Sequence, residues 1–145
     1  MTQTTPSVHL KLAEQSAPGA ALREAIDSLG KRYGLGAEQL FELKVAATEA
    51  LTNALKGSRS ERGVDVSLGL REDAVEVEVQ NDGTFELGNP ALFDLESEGG
   101  RGIPLMIALV DEVEFASTRA GMRVRLRKRL RRPRPSLLGV ARAFS

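Results

Sequence analysis

No cysteine occurs anywhere in the chain, which excludes a disulfide framework and every thiolate metal site. A single histidine, His9, leaves no His-rich metal site to consider. Aromatic residues make up only 4% of the sequence, and none interleaves with the arginines near the C-terminal end as a nucleic-acid stacking platform needs. No run approaches the roughly 20 apolar residues that span a bilayer. Met1 to Pro6 has neither the basic start nor the apolar core of a signal peptide. At 145 residues the length suits one domain with a core of its own. These absences lead us to expect one soluble, cytoplasmic domain that does not touch a membrane.

Formal charge sums to zero, but the signs are segregated. From Glu72 to Glu98 there are nine acidic residues and no basic one, and from Arg119 to Arg134 nine basic residues and no acidic one. Arg123, Arg125 and Arg127 alternate with Met122, Val124 and Leu126, so they line one face of a strand. Two readings of that face stay open. Either it is a solvent face offset by Glu76 and Glu78 on another strand, or it contacts an acidic protein partner. Direct nucleic-acid binding is not expected.

Alternation at Val8, Leu10 and Leu12 reads as a first strand. Pro18-Gly19 breaks it, and Leu22, Ile26 and Leu29 then recur at helical spacing up to Tyr33-Gly34. A stronger helix runs from Ala37 to about Lys56, with Leu40, Leu43, Ala46, Ala47, Ala50, Leu51 and Ala54 on its apolar side. Val64 to Leu70 and Val75 to Val79 alternate around Glu72-Asp73 as a hairpin. Asn81 to Gly102 has no sustained period and is rich in glycine, the mark of a functional or mobile loop. Pro104 suits the first turn of a short helix over Leu105 to Val110. Val113–Phe115 and Met122–Leu130 close the domain as a second hairpin. Residues 1–130 therefore form one domain, and residues 131–145 a basic C-terminal tail. The fold class is α+β, a two-layer sandwich with helices on one face of a mixed, mainly antiparallel sheet.

Three features stand in order along this frame. Glu49 and Asn53 are four residues apart and share one face of the long helix. Asn81-Asp82-Gly83 follows the Val75–Val79 strand, where parity turns residue 81 inward and residue 82 outward. Gly99-Gly100-Arg101-Gly102 precedes a helix, where free N–H groups and the helix dipole favour an anion. Singly, each has an ordinary explanation: a polar helix edge, a turn, a loop-to-helix junction.

Together they resemble the ATP-binding domain shared by gyrase-type, heat-shock-chaperone-type, histidine-kinase and mismatch-repair ATPases, with most likeness to the anti-sigma-factor serine kinase branch. The resemblance covers residues 8–130. Glu-Ala-Leu-Thr-Asn-Ala at 49–54 is similar to that family's N box. Gly-Gly-Arg-Gly-Ile-Pro-Leu-Met at 99–106, with Leu-Val-Asp-Glu-Val at 109–113, is similar to its second glycine box and next strand. Gly121 to Leu126 is similar to its closing strand. The resemblance implies ATP and Mg²⁺ as cofactors, Asn53 as magnesium ligand and Glu49 as the catalytic base or orienting group. It implies that Asn81 and Gly83 receive the adenine, that residues 84–99 form a lid, and that Gly100, Arg101 and Gly102 hold phosphate. Its implied partners are a sigma factor and a serine-bearing antagonist protein, and it allows a homodimer.

The chain departs from the family pattern at three places. Asn81 stands where aspartate is usual, Phe85 where a second glycine is usual, and Gly57 where a histidine is frequent. An amide oxygen accepts a hydrogen bond as a carboxylate does, but without the charge that strengthens it. On that reasoning Asn81→Asp should tighten ATP binding. A rival reading keeps the fold and dispenses with turnover: a non-catalytic module that regulates its partner by contact alone.

Overall fold

A computed structural model describes residues 7–13, 17–60, 63–84 and 98–130, the side chains of 98–103 excepted. The elements in chain order are β1 (Ser7–Leu12), α1 (Pro18–Tyr33), α2 (Ala37–Gly57), β2 (Val64–Arg71), β3 (Ala74–Gln80), α3 (Glu98–Leu109), β4 (Glu112–Ser117) and β5 (Met122–Arg129). The five strands form one sheet in the order β1-β2-β3-β5-β4. Every described pairing is antiparallel. The region read as a lid lies outside the described residues from Phe85 to Ser97, as does the tail, 131–145.

Strand parity decides which face is buried. Val66 pairs with Val79 and Leu68 with Val77, and on the other side Val77 pairs with Leu126 and Val79 with Val124. All six are shut off from solvent. Against this apolar face pack Leu22, Ile26 and Leu29 of α1 and Leu43, Ala46, Ala47, Ala50, Leu51 and Ala54 of α2. The four alanines leave no side-chain bulk between α2 and the sheet, which puts α2 at the centre of the helical layer. From α3 comes Met106, also fully buried.

The opposite face is ionic. Glu76 lies across from Arg127, and Glu78 across from Arg125. Arg125 Nε is 3.3 Å from Glu76, Arg123 Nε is 3.1 Å from Glu78, and Arg127 Nε is 3.5 Å from Glu76. The arginine face is thus the offset solvent face of the first reading. The three Nε groups are buried without an aligned acceptor, so these contacts are Coulombic rather than well-directed hydrogen bonds. Arg129 and Arg127 together hold the Glu112 carboxyl below the usual carboxylate range, with the Arg129 hydrogen bond the main cause.

Two helix starts differ from the sequence expectation. α1 begins at Pro18 itself, because a first-turn proline loses no helical hydrogen bond. α3 begins at Glu98, so the Gly99–Gly102 backbone is helical and Pro104 lies inside the helix. Glycine disfavours a helix by about 1 kcal/mol per residue, a weak preference that the packing of Met106 outweighs. Proline at 104 would crowd the carbonyl four residues back, and that residue is Gly100.

Candidate active site

α2 carries the first two site residues because its apolar stripe leaves one edge for polar groups. Asn53 is buried, 8% exposed, and its Nδ2 has no hydrogen-bond partner. A buried amide donor left unpaired costs about 1–3 kcal/mol, which makes Asn53 a candidate to meet a ligand oxygen. Glu49, one turn earlier, is half-buried. It lines a cavity of about 410 Å³ with Arg23, Phe41, Lys44, Val45 and Thr48.

Asn81 stands where β3 ends and is 2% exposed. Its Nδ2 donates to Ala54 O at 3.0 Å and Thr84 O at 2.8 Å. Its Oδ1 accepts from Gly83 N at 3.2 Å and Met122 N at 3.1 Å. The bond to Ala54 joins the end of β3 to the residue next to Asn53. Asn81 is therefore tied to the turn of α2 that carries Asn53, whereas Glu49 faces a cavity that Asn81 does not line.

Gly83 is held against the end of α2. A Cβ there would lie 2.1 Å from Gly57 O, closer than any real side chain comes, and Thr84 N donates to the same carbonyl at 3.0 Å. Glycine at 83 and the lack of a side chain at 57 thus permit one close approach. Backbone N–H groups of Gly99 to Arg101 fall in the first turn of α3, the part of a helix whose donors have no partner within it.

Asp82 turns the other way, as parity requires, and serves the scaffold. Its carboxylate accepts from Ser58 Oγ at 2.8 Å and Arg59 N at 2.7 Å. The neighbouring Ser60 and Ser58 hydroxyls and the Arg59 backbone N–H hold its carboxyl well below the usual carboxylate range. A depressed carboxyl stabilises the fold above its unfolded pKa, about 4, and that contribution is lost as pH falls below it. Asp82→Asn should therefore lower the thermal midpoint at pH 7, with the gap to the parent closing as pH falls below about 4. A gap that stays constant down to pH 2 would contradict this role.

Ala54, Gly57 and Thr84 contribute main-chain groups to the site that sequence reasoning missed. A carbonyl carries no residue-type signal, so only the fold could reveal them.

Among the described residues no three His, Cys, Asp or Glu side chains cluster as metal ligands. Magnesium does not need such a cluster, since it keeps waters and phosphate oxygens and takes one or two protein oxygens. The Asn53 carboxamide, with its unpaired buried donor, and the Glu49 carboxylate one turn away fit a nucleotide with its metal.

A single helical layer on an antiparallel sheet, with these groups where α2 meets the end of β3, defines a class. A family model of the histidine kinase-like ATPase domain matches residues 13–128, and the chain belongs to that family. Within it, the chain is similar to the serine-protein kinase RsbW of Bacillus pumilus, 30% identical over 150 residues that cover 92% of each protein. Serine-protein kinase RsbW of Bacillus subtilis is 29% identical over 144 residues, 90% of this chain and 89% of that one. The solved RsbU and RsbW domains of Rv1364c from Mycobacterium tuberculosis share the fold, with a TM-score of 0.67 at 21% identity. That match covers 89% of this chain, which spans about a third (34%) of the larger one. No described helix is long and apolar enough to cross a membrane.

Proposed function

We propose that this chain is an ATP-dependent regulatory serine kinase of the anti-sigma-factor type, acting in the cytoplasm on transcription. It binds a sigma factor, phosphorylates an antagonist protein on serine, and is switched by that antagonist. The observation that carries this reading is the buried Asn53 with an unpaired amide donor, one helical turn from Glu49 and next to the residue that Asn81 grips. Likeness to RsbW serine kinases over nine-tenths of the chain supports it.

Bound ATP supplies the phosphoryl group to be transferred, and Mg²⁺ offsets the charge of its phosphates. Asn53 would hold the metal through its amide oxygen, leaving its buried amide donor for the phosphates. The main chain around Gly83, fixed against the end of α2, would receive the base, with Asn81 holding that segment in place. Gly100, Arg101 and Gly102 hold phosphate at the start of α3. Glu49 orients the serine hydroxyl and takes up its proton, the work of a positioned carboxylate in phosphoryl transfer.

Calorimetry with ATP, with and without magnesium, tests the site. Wild-type binding should depend on magnesium, and Asn53→Ala should weaken Mg-ATP binding by about tenfold, near the worth of one charge-assisted contact. Equal affinity in the variant would remove Asn53 from the site. An absence of binding at millimolar ATP would leave the contact-only module, the second reading. The observation in favour of that one is the Asn81 amide, all of whose bonding capacity goes to the protein itself.

A further inference from the structure

The Asn81 side chain has two N–H donors and an oxygen with two lone pairs. Both donors end on main-chain carbonyls, Ala54 O and Thr84 O, and both lone pairs receive main-chain N–H groups, from Gly83 and Met122. The orientation of an asparagine amide is usually open to a flip. Here it is not, because carbonyls only accept and N–H groups only donate. The partners come from three directions: α2, the start of the segment after β3, and β5. Beside them, Asn81 N donates to Met122 O at 3.0 Å, so the side chain adds one more rung where the β3–β5 ladder ends. Gly121 allows this closeness. A Cβ on it would lie 2.3 Å from Asn81 O, and its φ of 151° favours glycine.

We infer that Asn81 is a positioning residue that straps the nucleotide end of β3 to α2 and β5, and that it does not read the base. No lone pair is left for an exocyclic amino group, and no proton for a ring carbonyl. The strap fixes Gly83 and Thr84 against the helical turn that carries Asn53. Aspartate cannot replace it, since a carboxylate would face the Ala54 and Thr84 oxygens with no proton to offer. This reverses the sequence-based expectation for Asn81→Asp. As a statement about the base, the inference rests on the ATP-site reading above. As a statement about the strap, it stands apart from it.

Thermal denaturation and nucleotide binding by Asn81→Asp and Asn81→Ala test it. At pH 7 Asn81→Asp should lower the thermal midpoint by roughly 5–10 °C, with two carbonyls left unpaired, and should not tighten ATP binding. Asn81→Ala should weaken ATP and GTP by the same factor, about fivefold, leaving their ratio unchanged. An Asn81→Asp protein as stable as the parent that binds ATP more tightly would overturn the strap. So would a tenfold change in the ATP to GTP ratio in Asn81→Ala. If neither variant folds, the wild type decides: NMR should show Asn81 side-chain amide protons that exchange slowly and do not shift when Mg-ATP is added. Fast exchange, or a large shift on Mg-ATP addition, would refute the strap. A protein that binds no nucleotide but keeps those protons slow would end the kinase reading and leave the strap standing.

Discussion

Glu49→Gln should lower phosphoryl transfer to the antagonist protein by about 10²–10⁴-fold, the usual contribution of a general base, while Mg-ATP affinity changes by less than about threefold. This split follows from where Glu49 sits. It shares the α2 face with Asn53 but lines the outer cavity with Phe41, Val45 and Thr48, away from the four bonds that gather around Asn81. On the proposed kinase reading, a side chain so placed would meet the incoming hydroxyl rather than the base. The isosteric amide keeps the packing and removes only the capacity to accept a proton. Radiolabel transfer from ATP together with calorimetry on the same preparation gives both quantities. Undiminished transfer would make Glu49 a polar edge of the helix and nothing more. Equal losses in transfer and affinity would place it among the nucleotide-binding groups instead.

The largest stability effect is expected at Lys128. This lysine lies on β5 opposite Val75, on the apolar face of the sheet, and is 4% exposed. Its ammonium donates to Leu109 O at 2.7 Å and lies 3.3 Å from Glu42 Oε1. One buried cation thus meets the C-terminal carbonyl end of α3, where the helix dipole favours positive charge, and a carboxylate on α2. Removing one partner of a buried pair leaves the other uncompensated. Glu42 keeps some contact with solvent, 22% by side chain, so Lys128→Met should cost about 2–4 kcal/mol. Adding Glu42→Gln should recover part of that loss. Urea unfolding of the two variants measures both numbers. A cost under about 0.5 kcal/mol, the level of an exposed substitution, would mean the tie contributes nothing. Because α3 starts with the glycine box, a lysine that seats its far end on α2 also helps set where that box lies.

Much of this was legible before any fold was known, for local reasons. Alternation at Val64, Val66 and Leu68 and at Val75, Val77 and Val79 marked both strands of a hairpin, since a strand's two faces follow from its period alone. The same parity turned Asn81 inward and Asp82 outward, and set Arg123, Arg125 and Arg127 against Glu76 and Glu78. The alanine and leucine stripe of α2 announced a long helix with one buried side, and so placed Glu49 and Asn53 on a shared edge. The start of α3 was misjudged, because the propensities of glycine and proline are small beside the packing that holds that helix on α2. What only the tertiary structure decided is where each polar group spends its bonds. The partners of Asn81 come from 27 residues before it and 41 after it, and those of Lys128 from two different helices. Chain-distant carbonyls leave no mark in the residues that bear them. A hydrogen bond is settled by the arrival of both its ends, and only the packed sheet and helices bring them together.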